Sequence, residues 1–169
     1  EKVVAVGEIG LDYHFEENAP KDMQKKMFEE QILLAEKHQL PIIVHDRDAH
    51  GDTMEILRRR KPSGVVHCFS GSVEMATECV RLGMYIGFGG AVTFKNARVP
   101  VEVAAAVPLE RMLMETDCPY MTPVPFRGKR NDSTLIAYTA ARVAEIRGTT
   151  AEEILAVTCR NAETLFRIK

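Results

Sequence analysis

Pro41-Ile42-Ile43-Val44-His45-Asp46-Arg47-Asp48-Ala49 sets a continuous apolar run directly before an imidazole and three charged residues. Apolar residues without alternation are expected of a strand covered on both faces, as in a parallel sheet flanked by helices. The stretch before it, Lys21 to His38, follows Pro20 and carries Met23, Met27, Phe28, Ile32, Leu34 and Ala35. Their spacing is close to 3.6 residues, so one face of a helix there is expected to pack on the sheet. Four more runs of the same kind lie at Val3 to Gly7, Gly64 to Val66, Met84 to Gly87 and Met112 to Met114. Strand and helix therefore alternate along the chain.

Helix ends are signalled separately. Asp52 with Glu55 has capping-box spacing before Ile56-Leu57, and Thr150 with Glu153 repeats it before Ile154-Leu155. Ser72 is placed to cap a helix ending at Gly83, and Gly148 to close one running from about Thr134 to Arg147. The order is βα four times, a fifth strand, then two helices in tandem. No Pro/Ser/Gly linker divides it, so residues 1–169 read as a single domain. An open doubly wound sheet fits this order, and so does the C-terminal five-strand part of a (β/α)8 barrel.

Composition narrows the function classes. Of 169 residues 46% are hydrophobic and 27% charged, and 22 Lys+Arg against 24 Asp+Glu leave a formal charge of -2. That balance lacks the broad basic face of a protein that holds nucleic acid mainly by neutralising phosphates. No apolar stretch approaches the roughly 20 residues of a membrane span. Cys68, Cys79, Cys118 and Cys159 show no C-x-x-C spacing, which predicts reduced, buried thiols in a cytoplasmic protein. The chain opens on Glu1-Lys2 and enters an apolar run at once, with no leader pattern; the expectation is that further sequence precedes it.

The chemistry gathers at the strand ends. Glu8 follows the first run, His45 the second, His67 the third, and Asp117 comes three residues after Met114. Barrel enzymes build their sites from the C-terminal rims of several strands. Two imidazoles and two carboxylates suit Zn, Mn or similar divalent ions, and a carboxylate can bridge two of them. Such a pair of ions lowers the pKa of a water held between them, which points to a hydrolase.

Five segments carry a resemblance. They are Val6-Gly7-Glu8-Ile9-Gly10-Leu11-Asp12-Tyr13, the Pro41 to Ala49 stretch, Val66-His67-Cys68-Phe69-Ser70-Gly71, Glu115-Thr116-Asp117-Cys118-Pro119-Tyr120 and Arg127-Gly128-Lys129-Arg130-Asn131. In that order the chain resembles the TatD-related metal-dependent deoxyribonucleases, a (β/α)8-barrel family. The resemblance implies that Glu8 bridges two divalent ions (Zn, Mg or Mn), that His45 and His67 are ligands of one, and that Asp117 is a ligand of the other and the proton acceptor for the attacking water. It further implies that Asp12 and Arg47 orient ligands or substrate, and that Arg127, Lys129, Arg130 and Asn131 meet the substrate's phosphates. The family's His-x-His pair is absent, because the five histidines are His14, His38, His45, His50 and His67. The chain is thus expected to supply strands 4 to 8 of a partial TIM barrel, open because the first three βα units are absent. Its edges beside Val3 to Gly7 and Met112 to Met114 would be unpaired, and the chain alone weakly active or inactive.

Other marked residues have plainer expected roles. His14 and His50 read as loop residues, and His38 as a cation near a helix end. Arg58-Arg59-Arg60-Lys61 reads as a solvated helix terminus, Gly87-Phe88-Gly89-Gly90 as a strand exit where backbone nears a pocket, and the methionines as core filling. The expected activity is hydrolysis of DNA phosphodiesters, in single strands or at ends. The alternatives are ester or amide hydrolysis at the same ions, as on an aminoacyl-tRNA, and a non-catalytic fragment completed by another chain.

Overall fold

Main-chain hydrogen bonding turns the apolar runs into five parallel strands in the computed structural model, which describes residues 2–168. The strands are β1 (Val6–Asp12), β2 (Ile42–Arg47), β3 (Gly64–Val66), β4 (Tyr85–Phe88) and β5 (Met112–Met114). Between and after them lie helices α1 (Lys21–Lys37), α2 (His50–Arg60), α3 (Val73–Arg81), α4 (Arg98–Ala106), α5 (Ile136–Arg147) and α6 (Ala151–Phe166). Each strand pairs with the next in sequence, β1-β2-β3-β4-β5. A doubly wound sheet reverses its order at a switch point; this one does not, so that alternative is set aside.

Register divides the side chains between two faces. Ile42, Val44, Val66, Ile86 and Met112 join the main core with Phe28, Ile32 and Ala35 of α1 and Ala140, Val143 and Ala144 of α5. On the opposite face Ile43 pairs in register with Val65, and Val65 with Tyr85. These residues and Leu113 form a second, smaller cluster closed by Leu165 and Phe166 of α6. Two residues farther along the strands, the same face carries His45, His67, Gly87 and Glu115. The functional side chains thus stand on an apolar layer.

Several elements differ from expectation. β1 runs to Asp12 because Gly10, Leu11 and Asp12 pair with His45, Asp46 and Arg47, and Val3 and Val4 stay outside it, exposed. Glu8 and His45 therefore lie within strands, not after them. α2 begins at His50 without a side-chain cap, since the Asp52 carboxylate instead accepts the Tyr13 hydroxyl at 2.7 Å and meets Lys25 at 3.4 Å. Ser72 and Thr150 do cap their helices, accepting from Met75 N and Glu153 N, and Gly148 closes α5 with φ 67°. α1 buries a narrower stripe than its pattern implied, leaving Met23, Met27 and Leu34 exposed, so not every methionine fills the core. Cys79 is buried, but Cys118 and Cys159 are exposed. Arg58 pairs with Glu78, and Arg59 and Arg60 with Glu29, so the basic run ties helices together.

Among the described residues β1 and β5 are the edge strands, and a helix amide reaches each. Gln24 of α1 binds the backbone of Asp12, and the buried Asn161 of α6 donates to the carbonyls of Leu109 at 2.9 Å and Met112 at 2.8 Å. Among the described residues, no helix is long and apolar enough to cross a membrane. Replacing Asn161 by Leu strips two carbonyls of their donor, that of Met112 in a buried site. Urea unfolding of Asn161→Leu is expected to show a loss of about 1–3 kcal/mol with an unchanged slope.

Candidate metal centre

Glu8 Oε1 lies 2.6 Å from His45 Nδ1 and 2.8 Å from His67 Nε2. One carboxylate oxygen thus faces two imidazoles, whose ring centroids are 5.9 Å apart. The second nitrogen of each ring faces another carboxylate: His45 Nε2 is 3.1 Å from Asp12 Oδ2, and His67 Nδ1 is 3.2 Å from Glu115 Oε2. A neutral imidazole has one N–H and cannot donate in both directions. A divalent cation among Glu8, His45 and His67 resolves this, leaving each remaining N–H to a carboxylate, the usual support of a metal-binding histidine. The ligand atoms of the three residues all lie within 4.8 Å of one another, so the donor set fits such an ion.

In the bare protein a second proton on His67 takes the cation's place at that ring. Burial works against charge on His67, but Glu115, Glu8 and Asp117 outweigh it and push its pKa up to about 9. Asp12 is treated oppositely: burial disfavours its charge, yet the His14 amide, His45 and Arg47 hold it below the ordinary carboxylate value.

Glu115 is the one member of this set to which sequence reasoning assigned no role. It stands just past β5 on the face of His67, and its Oε1 also accepts the Cys68 amide. A Cβ on Gly87 would come within 2.6 Å of that oxygen, so the strand exit at Gly87 is where the carboxylate fits. The neighbouring Cys68 thiol could join His67 and Glu115 as a third donor on distance alone. Burial, then Glu115 and Asp117, push its pKa far above the ordinary thiol value. In the metal-free protein these groups hold it as the neutral thiol.

Asp117 lies on the same rim with φ 52°, in the left-handed region that Asp tolerates. It is outside the three-residue cluster. Burial raises its pKa; His67 opposes that, and Glu115 and Glu8 add to it. Arg47, paired in register with Asp12, is exposed, its guanidinium 4.9 Å from the Phe15 ring.

The loop after Asp117 separates its residues. Lys129 and Arg130 are exposed. Arg127 lies over the Phe94 ring at 3.8 Å and donates to Thr122 O at 3.1 Å, so its fork is spent partly on the fold. Asn131 is buried and donates to Thr116 O and Tyr120 O, tying the loop together from inside. His14 is a loop residue, 2.9 Å from Asp48, whereas His50 opens α2 and faces Asp46 at 2.7 Å.

A family profile described as TatD related DNase matches residues 1–167. The chain belongs to the TatD-related DNase family. It is 52% identical to YabD of Bacillus subtilis, named an uncharacterized metal-dependent hydrolase, over 99% of this chain and 67% of that protein. YcfH of Escherichia coli, named in the same way, is 43% identical over 99% of this chain and 64% of its own length. The crystal structure of YjjV, a TatD homolog from Escherichia coli, superposes with a TM-score of 0.91 at 38% identity, covering 99% of this chain and 65% of that one. A TatD family hydrolase from Entamoeba histolytica gives 0.85 at 26% identity, over 99% and 64%. The chain therefore spans about two thirds of the length of these relatives.

The raised His67 pKa sets a pH dependence. Its folded value, about 9, lies above its ordinary 6.5, so the stabilisation is full below pH 6.5 and is lost as pH rises through about 9. Urea midpoints of the chelator-treated protein should fall across that window, and His67→Gln should flatten the fall.

Proposed function

We propose that the protein is a divalent-metal-dependent hydrolase of DNA phosphodiesters, acting on single strands or ends. The observation that carries this reading is the pairing of His45 and His67 with Glu8 on one side and with Asp12 and Glu115 on the other. Glu8, His45 and His67 would hold one ion, and the free oxygen of Glu8 with Asp117 offers donors toward a second. Bound ions would polarise the phosphate and lower the pKa of the attacking water.

The chain's own groups supply the rest. Asp12 and Glu115 fix the ring orientation of the two histidines. Asp117, its carboxyl made more basic by burial, takes the proton of the attacking water. Arg47 on the rim, with exposed Lys129 and Arg130, meets phosphate oxygens as a fork, a point charge and a second fork. Arg127 and Asn131 hold the loop that presents them. The five strands are read as the arc of strands 4 to 8 of a (β/α)8 barrel. The unreversed strand order and the partial coverage of longer relatives support that.

Cleavage of a single-stranded oligonucleotide by the full-length protein, with Zn, Mn or Mg restored after chelation, tests the reading. Asp117→Asn is expected to slow cleavage by about 10²–10⁴-fold while uptake of the ion held by Glu8, His45 and His67 persists. Glu8→Ala should lose both. Full activity in both variants, or faster turnover of a carboxylic ester than of DNA, would overturn it.

A further inference from the structure

Asp12 ends an edge strand, where a backbone N–H and C=O would ordinarily face water. Here one side chain takes both. Gln24 Oε1 accepts the Asp12 N–H at 2.9 Å, and Gln24 Nε2 donates to Asp12 O at 2.9 Å and to Ala19 O at 2.8 Å. The amide's orientation is dictated, because a flipped amide would set its NH2 against an N–H and its oxygen against two carbonyls. Asn18 Nδ2 adds a second donor to Asp12 O at 3.1 Å. The Asp12 backbone is thus clamped as a neighbouring strand would clamp it.

What the clamp holds is a carboxylate with two duties. Asp12 Oδ1 accepts the His14 amide at 2.9 Å, and Oδ2 lies 3.1 Å from His45 Nε2. With the Asp12 backbone tied by Gln24 and one carboxylate oxygen tied by His14, the other oxygen is fixed against the imidazole. His45 Nδ1 then points at Glu8. His67 receives the equivalent support from Glu115, a residue of another strand end.

We propose that Gln24 is a positioning residue of the metal centre, acting through Asp12 to set the His45 ring and leaving the His67 ring untouched. The proposal rests on the reading of His45 as a metal ligand. A side chain on α1, which carries no ligand itself, thereby sets the angle at which one of two histidines meets the ion.

The test compares the full chain with Gln24→Met, which keeps the side chain's length and loses both hydrogen-bonding functions, with Asp12→Ala, and with the double variant. In metal-free protein the ring ¹⁵N resonances of His45 are expected to move in Gln24→Met toward their positions in Asp12→Ala, those of His67 to stay, and the double variant to match Asp12→Ala. Loss of a partner that orients a metal ligand weakens binding by about 10–100-fold, and Gln24→Met is expected to weaken Zn binding by about tenfold, with no further loss in the double variant. Unmoved His45 resonances overturn the proposal. Equal movement of both rings, the mark of general loosening, overturns it too. If the unaltered chain takes up no Zn, the ring resonances still decide the role of Gln24, and only the metal-centre reading falls. If Gln24→Met does not fold, Gln24→Glu, which keeps an acceptor and loses the donor, is read the same way.

Discussion

Two imidazole rings, each facing a carboxylate with both nitrogens, cannot be satisfied as neutral groups. That is the constraint around which the rest of the molecule is arranged. His45 stands between Glu8 and Asp12, and His67 between Glu8 and Glu115. Each ring needs a positive partner on the Glu8 side, either a second proton or a metal ion. The raised His67 pKa shows how firmly the surrounding carboxylates hold a proton that meets that need. A cation that meets it for both rings at once is linked to folding, because it binds a geometry the unfolded chain does not have.

The parallel sheet supplies that geometry. Register puts His45, His67 and Glu115 on one face, two residues beyond an apolar layer of Ile43, Val65, Tyr85 and Leu113 that α6 closes from below. The imidazoles are thereby raised above an apolar floor with their ring nitrogens still reachable. Gly87 occupies the place in that row where a side chain would collide with Glu115. At the sheet's edges helix amides hydrogen-bond the outward backbone groups, Gln24 at Asp12 and Asn161 at Met112. The first of these edges is also where the site begins.

How far all this is legible in the sequence depends on the range of the interaction concerned. β3 and β5 coincide with their apolar runs because each run is short and closed by His67 or Glu115. β1 does not, because its last residues are strand only through pairing with His45 to Arg47, which nothing near Val3 announces. Glu8, His45 and His67 stand out as metal-capable side chains at recurring places. Glu115 does not stand out, since its role requires Gly87 on one neighbouring strand and His67 beyond it. Its signal is the pairing of Gly87 at one strand exit with Glu115 at the next. Arg127 and Asn131 look like loop residues free to bind substrate. Phe94 beneath the one and the carbonyls of Thr116 and Tyr120 around the other become neighbours only after folding.

The central claim is that Glu8, His45 and His67 converge on one ion. X-ray absorption at the zinc edge of the Zn-loaded protein tests it most directly. The account predicts scattering from two imidazoles and a carboxylate, with ligand atoms at about 2.0–2.2 Å, and loss of the imidazole signal when His45 and His67 are both replaced by Ala. A spectrum without imidazole scattering, or one that the double replacement leaves unchanged, would contradict it.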